Sequence, residues 1–290
     1  MVSAYATTPP AAAAAPEVAA AAFADRLHAV VTGPEGAPPL LLLHGWGSSA
    51  ALMRAAGAPF EATHRVHNLD LPGHGLTPIP PRLPDGRAWG VPEYAALVAH
   101  YVREHGLAPV PIVGHSNGGR IALHLASEPS TAALVARLVL VSPSGVAPRR
   151  PLAYYAKTAW ITALKAPFRL LPEGPLRQRG LAWLRTTVYW QLAASADYRQ
   201  AAGSDVLRET MVRTVRHLYT EADLARIAVP TLLLWGDRDE AVTRYQMDVL
   251  ARAIPDAGLV VLEGAGHYGY LDAPAAYAAA VIRFLSPDAS

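Results

Sequence analysis

A chain of 290 residues, 52% hydrophobic and with a net charge of +2, has ample material for one large domain or two small ones. The near balance of charge gives no electrostatic case for a nucleic-acid partner, and with no cysteine disulfides and thiolate metal sites are excluded. No apolar run approaches the roughly 20 residues that a membrane span needs.

Residues 1–25 are rich in Ala and Pro and carry no basic residue before Arg26. They lack the positive start and compact apolar core of a secretory signal, so a flexible or loosely helical tail on a cytoplasmic enzyme is expected. Residues 27–31 can form an early strand, ended by Thr32-Gly33-Pro34-Glu35-Gly36. Residues 39–43 are continuously apolar, as in a strand buried on both faces, and run into His44-Gly45-Trp46-Gly47-Ser48-Ser49. Residues 66–71 are the next strand, followed by Pro72-Gly73-His74-Gly75. Residues 92–105 then read as a helix.

Residues 110–123 read as a buried strand, a tight turn and a helix. Val110, Ile112 and Val113 are β-formers, and Ala and Leu after Ile121 favour helix. The turn is Gly114-His115-Ser116-Asn117-Gly118, a G-x-S-x-G elbow. A nucleophile at the tip of such a turn sits in a strained backbone, and its flanks must be small because strand and helix nearly touch. The helix that follows aims its first N–H groups at any oxyanion formed nearby.

Residues 138–141 form the next strand, ending at Ser142-Pro143-Ser144-Gly145. Strands alternating with helices argue for a mostly parallel, doubly wound sheet. The alternation then breaks. Residues 146–223 hold Trp160, Trp183, Trp190 and several Tyr, with 12 Lys/Arg against 6 Asp/Glu. They read as helices broken at Pro167, Pro172 and Pro175, placed as a cap over the strand ends. The alternation resumes with a strand at 229–235 ending in Gly236-Asp237-Arg238-Asp239, a strand at 259–262 ending in Glu263-Gly264-Ala265-Gly266-His267, and a closing helix at 275–285. The expected division is a core of residues 26–145 and 224–290 with a helical insert at 146–223.

Four strand ends therefore carry reactive or polar residues: His44-Gly45-Trp46, Ser116, Asp237 or Asp239, and His267. In an open α/β sheet these ends converge on one crevice. His267 can take the proton of Ser116 near neutral pH and return it to a leaving group. An acid must then hold His267 in the right tautomer. Asp239 and Asp237 both compete for that role. The backbone N–H groups of Asn117 and Trp46 are the candidate oxyanion donors. His115 and Tyr268, together with Trp160, Trp183 and Trp190, are candidate substrate contacts. Asp70 reads as a turn-stabilising residue rather than a catalytic one. No metal-ligand spacing and no phosphate loop is present, so neither a metal nor a cofactor is expected.

With these motifs in this order, the chain from about residue 27 to 285 resembles the α/β-hydrolase superfamily. The likeness rests on His44-Gly45-Trp46-Gly47, Asp70-Leu71-Pro72-Gly73-His74-Gly75, Gly114-His115-Ser116-Asn117-Gly118-Gly119, Gly236-x-x-Asp239 and Gly264-x-Gly266-His267. It implies a mostly parallel, eight-stranded sheet with a helical lid between its sixth and seventh strands. It also implies the order Ser, Asp, His for the triad, with the acid three residues after the glycine that ends its strand, hence Asp239. Ser at the elbow argues against the dehalogenases and epoxide hydrolases of this superfamily, which place Asp there. The resemblance implies a carboxylesterase-like enzyme acting on a small-molecule ester, as a monomer or homodimer. Carbon–carbon hydrolases, lactonases and thioesterases share the triad, and a catalytically silent binding protein is the alternative outside enzymes.

Overall fold

The computed structural model describes residues 16–149, 160, 163, 167–168, 170–184 and 203–286. The run Leu40-Leu41-Leu42-Leu43 shows how its sheet is built. Successive side chains of a strand point to opposite faces. Leu41 and Leu43 enter one apolar cluster, whereas Leu40 and Leu42 enter another. Both faces are thus buried, which is why the strand has no polar alternation.

Among the described residues the strands are β1 (Ala29–Thr32), β2 (Pro39–Leu43), β3 (Arg65–Leu69), β4 (Val110–His115), β5 (Val135–Val141), β6 (Thr231–Gly236) and β7 (Ala257–Leu262). They form one sheet in the order β1-β3-β2-β4-β5-β6-β7. Only the edge strand β1 runs antiparallel; the other pairings are parallel. The helices are α1 (Pro16–Ala21), α2 (Ala50–Gly57), α3 (Val91–Glu104), α4 (Asn117–Ser127), α5 (Pro175–Leu184), α6 (Asp205–Arg216), α7 (Glu221–Leu224), α8 (Arg244–Ala253), α9 (Gly269–Asp272) and α10 (Pro274–Leu285). Helices α3, α4 and α8 cover the Leu41 face, and α2 and α10 cover the Leu40 face.

The seven described strands compare with the eight that the resemblance implies. Ahead of β1 the chain forms α1 and a short 3-10 turn at Ala24–Arg26. This Ala-rich segment lacks β-branched residues beyond Val18 and favours helix. It is also packed: Ala20 and Phe23 are buried, and the Phe23 ring meets Trp89 edge-on at 5.2 Å. Residues 1–15, the rest of the expected tail, lie outside the described residues.

Between β5 and β6 the described residues hold α5, α6, α7 and no strand. Helix α6 is tied to the sheet domain at several points. Glu209 pairs with Arg82 and accepts from Ala88 N at 3.1 Å. Arg213 donates to the Ala88 carbonyl and lies 3.7 Å from buried Glu93. Arg120 of α4 donates to the Thr214 carbonyl. By contrast, Leu176 of α5 is exposed. Among the described residues no helix is long and apolar enough to cross a membrane.

The expected strand at 66–71 ends two residues early, at Leu69; Asp70 N still donates to the His28 carbonyl at 2.9 Å, and its carboxylate serves as a knot. Its Oδ1 accepts from Ala50 N at 2.6 Å, at the start of α2. Its Oδ2 accepts from Leu76 N at 3.0 Å and meets His28 Nδ1 at 2.9 Å. Burial alone would push this carboxyl up, but these donors outweigh it and hold it below the ordinary value. Such a group contributes stability above the unfolded carboxylate value of about 4 and loses it as pH falls through the lower folded value. Asp70→Ala strands two backbone donors, so it should cost about 2–4 kcal/mol in urea unfolding at pH 7. The gap from the parent should narrow on acidification below about pH 4; a gap unchanged with pH would remove the carboxylate from this account.

Candidate active site

The parallel registers end the strands together. Leu43 pairs with Gly114, His115 with Val141, Val141 with Leu234, and Gly236 with Leu262. The residues just past β2, β4, β5, β6 and β7 therefore share one edge of the sheet, where α/β proteins hold their ligands.

Ser116 sits at the tip of β4 with φ 49° and ψ −108°, a backbone conformation that costs a non-glycine residue about 1–3 kcal/mol. Its neighbours hold it there. Ser116 N donates to the Val141 carbonyl at 3.0 Å. Its own carbonyl accepts from Ser144 N at 3.0 Å, from Arg120 N at 3.1 Å and from Ser144 Oγ at 3.1 Å. The small flanks are a steric need, because a Cβ on Gly118 would lie 2.0 Å from the Leu43 carbonyl oxygen. Asn117 opens α4, so its N–H belongs to the first turn and has no partner within the helix.

Past β6 and β7 the two loops are zipped together. Asp237 Oδ1 accepts from Gly264 N at 2.7 Å, and Arg238 N donates to the Ala265 carbonyl at 2.9 Å. This zipper sets Asp239, not Asp237, against His267: the Nδ1–Oδ2 distance is 2.8 Å. A carboxylate only accepts, so Nδ1 is the donor and Nε2 is left free to act as a base. The Asp239 side chain is fully buried while His267 keeps 21% exposure. Oδ1 of Asp239 accepts from Ala241 N at 2.7 Å and Val242 N at 2.9 Å. Burial raises the Asp239 pKa, but His267 and the Val242 N–H more than offset this and keep it below the ordinary value.

The loop after β2 is oriented by His44. Its Nδ1 donates to the Gly45 carbonyl at 2.7 Å, and its Nε2 accepts from Leu71 N at 2.9 Å. Burial pushes this imidazole down to about 4, so it stays neutral and both bonds persist. In a trans peptide C=O and N–H point in opposite directions. Pinning the Gly45 carbonyl toward His44 therefore turns the Trp46 N–H away from it. The Trp46 side chain packs with Leu207 and Met211 of α6 and meets His74 edge-on at 4.8 Å.

The remaining expected contacts divide. His115 is buried and bonds through Nε2 to the His267 carbonyl at 3.0 Å. The Tyr268 ring lies 4.8 Å from His115 and 5.6 Å from His267. Trp160 is 53% and Trp183 57% exposed, and Trp190 lies outside the described residues. Sequence reasoning missed Ser144, which clamps the elbow, and the Leu207–Met211 pair. Ser144 stands in a Ser-Pro-Ser-Gly turn on the same sheet edge, a usable signal. The i, i+4 spacing of Leu207 and Met211 predicts a helix face but not what it covers. Among the described residues no group of three or more His, Asp or Glu is placed to hold a metal.

The comparisons with known proteins concern the fold. The family model of the alpha/beta hydrolase fold matches residues 38–274. Pimeloyl-[acyl-carrier protein] methyl ester esterase of Aromatoleum aromaticum is 30% identical over 255 residues, covering 82% of this chain and 94% of that one. The magnesium-chelatase 30 kDa subunit of Rhodobacter capsulatus is 30% identical over 251 residues, covering 81% and 82%. Among solved structures, naproxen esterase (carboxylesterase NP) of Bacillus subtilis matches with a TM-score of 0.63 at 20% identity, covering 90% of this chain and 87% of that one. With the family match running from β2 to the start of α10, the chain belongs to the alpha/beta hydrolase fold family.

Proposed function

We propose that this chain is a serine hydrolase that cleaves carboxylic esters of a small or medium acyl group through an acyl-enzyme. The observation that carries the reading is His267 bonded to buried Asp239 at 2.8 Å, on the same sheet edge as a serine in the strained elbow conformation. An esterase relative at 30% identity lends it support.

In this reading Ser116 Oγ attacks the ester carbonyl as His267 Nε2 takes its proton. The Trp46 and Asn117 N–H groups receive the oxyanion. The tetrahedral intermediate expels the alcohol, which takes the proton back from His267. Water, activated by the same imidazole, attacks the acyl-serine and releases the acid. Asp239 stays ionised throughout and stabilises the imidazolium. Residues 146–223 act as a cap, with Leu207 and Met211 of α6 as the wall on the Trp46 side.

The decisive experiment is a p-nitrophenyl acetate assay with intact-mass analysis. The parent should give a burst of p-nitrophenol and an acetylated Ser116 peptide, and Ser116→Ala should give neither. A Ser116→Ala protein that kept the parent's turnover would reject the reading. A folded parent with no burst on any ester of a short, medium and acidic panel would favour a silent binding protein.

The acid is tested separately. Asp239→Asn should lower kcat by about 10⁴-fold, whereas Asp237→Asn should leave it within about tenfold and mainly weaken the turn at Gly264. The reverse order would move the role to Asp237. The aim of the Trp46 peptide is tested by His44→Phe, which removes the bond to the Gly45 carbonyl while keeping a ring of similar size. It should cost on the order of 10² in kcat with little change in KM. A KM effect alone would make His44 a pocket residue instead.

A further inference from the structure

His115 touches each part of the machinery and has no role in the steps above. It is the chain neighbour of Ser116. Its ring lies against the backbone of Gly45, where an added Cβ would stand 2.8 Å from Nδ1; Gly45 supplies the carbonyl side of the Trp46 peptide. Its Nε2 lies 3.0 Å from the His267 carbonyl oxygen. The two imidazoles are 4.8 Å apart, centroid to centroid, at 56°, and Tyr270 closes the far side edge-on at 5.3 Å. At 1% exposure the ring is sealed away from a substrate.

A carbonyl oxygen only accepts, so Nε2 carries the hydrogen. Burial and the neighbouring His267 push this imidazole down to about 3, which leaves it neutral at any working pH. Its Nδ1 is then a buried lone pair with no hydrogen-bond partner. Such an orphan costs stability. A phenylalanine would fill the space without that cost, which gives the Nε2–H bond a purpose beyond packing. The loop bearing His267 runs from β7 to α9, and the catalytic ring hangs from the residue whose carbonyl His115 holds. Asp239 grips the ring at Nδ1, and His115 grips the backbone. Together they fix both ends of the side chain.

We propose that His115 is a positioning residue: its Nε2–H bond to the His267 carbonyl sets His267 in reach of Ser116 Oγ, and its ring seats Gly45 beneath the oxyanion donors. This replaces the expectation that His115 contacts substrate, and it rests on the serine-hydrolase reading. A misplacement of about 1 Å costs on the order of 10² in rate, and it acts on chemistry rather than on binding.

The test compares His115→Phe, which keeps a ring and loses the donor, with His115→Gln, whose side-chain amide N–H reaches about as far as Nε2. Both are assayed on p-nitrophenyl acetate and butyrate beside the parent and Ser116→Ala, with thermal unfolding of each. The proposal expects His115→Phe to lose about 10–100-fold in kcat, with KM within about threefold and the acetate-to-butyrate preference unchanged. It expects His115→Gln to recover most of the loss. Full activity in His115→Phe, with Ser116→Ala inactive, overturns the positioning role and leaves the serine mechanism standing. A shifted acyl preference overturns it in favour of substrate contact. A loss that tracks the melting temperature in both variants, without rescue by Gln, overturns it in favour of packing. Turnover by Ser116→Ala rejects the underlying mechanism instead.

Discussion

The backbone of Ser116 is the constraint on which the rest of the site depends. At φ 49° and ψ −108° it lies where a side-chain-bearing residue does not rest unaided. What holds it is the sheet itself. One hydrogen bond comes from its N–H to β5, and three reach its carbonyl from Ser144 and Arg120. On the other side the Leu43 carbonyl of β2 presses so close to Gly118 that no larger residue fits. Strands β2 and β5 thus act as the two jaws of a clamp around β4. The apolar burial of β2 on both faces is what keeps those jaws from opening. Core packing and site geometry are here one property of the molecule.

Around that clamp the structure sorts its imidazoles by solvent access. His44 and His115 are sealed, held neutral by burial, and used for the directions of their N–H groups. His267 keeps contact with solvent and faces a fully buried carboxylate. The two sealed histidines stay neutral and contribute geometry alone.

Much of this was legible in the sequence. The apolar run Leu40–Leu43, the elbow around Ser116, and the polar ends at Asp239 and His267 lie on the elements their patterns predict. They do so because strand period, turn chemistry and burial all act locally there. The reading failed where long-range packing decides. The strand expected at 66–71 stops at Leu69, and the carboxylate of Asp70 takes amides of Ala50 and Leu76, partners that its own strand pattern does not reveal. The flexible or loosely helical tail expected over residues 1–25 is helical at Pro16–Ala21, but the burial of Phe23 against Trp89 is a contact invisible in an Ala-rich composition. His115 could be placed beside the elbow, but its partner lies 152 positions away. Nothing in the pattern of β4 points to that carbonyl.

Helix α6 has one more consequence. Glu209 and Arg213, four residues apart on one face, grip the loop carrying Arg82 and Ala88, and the Thr214 carbonyl is held by Arg120 of the elbow helix. Leu207 and Met211 lie on Trp46. Among the described residues, the segment between β5 and β6 is tied to the domain elsewhere too: the Val146 carbonyl accepts from Gln246 Nε2 at 2.9 Å, and the Tyr219 hydroxyl donates to the Arg120 carbonyl at 2.7 Å. A change on the buried face of α6 is therefore transmitted at once to Trp46 and to the elbow helix.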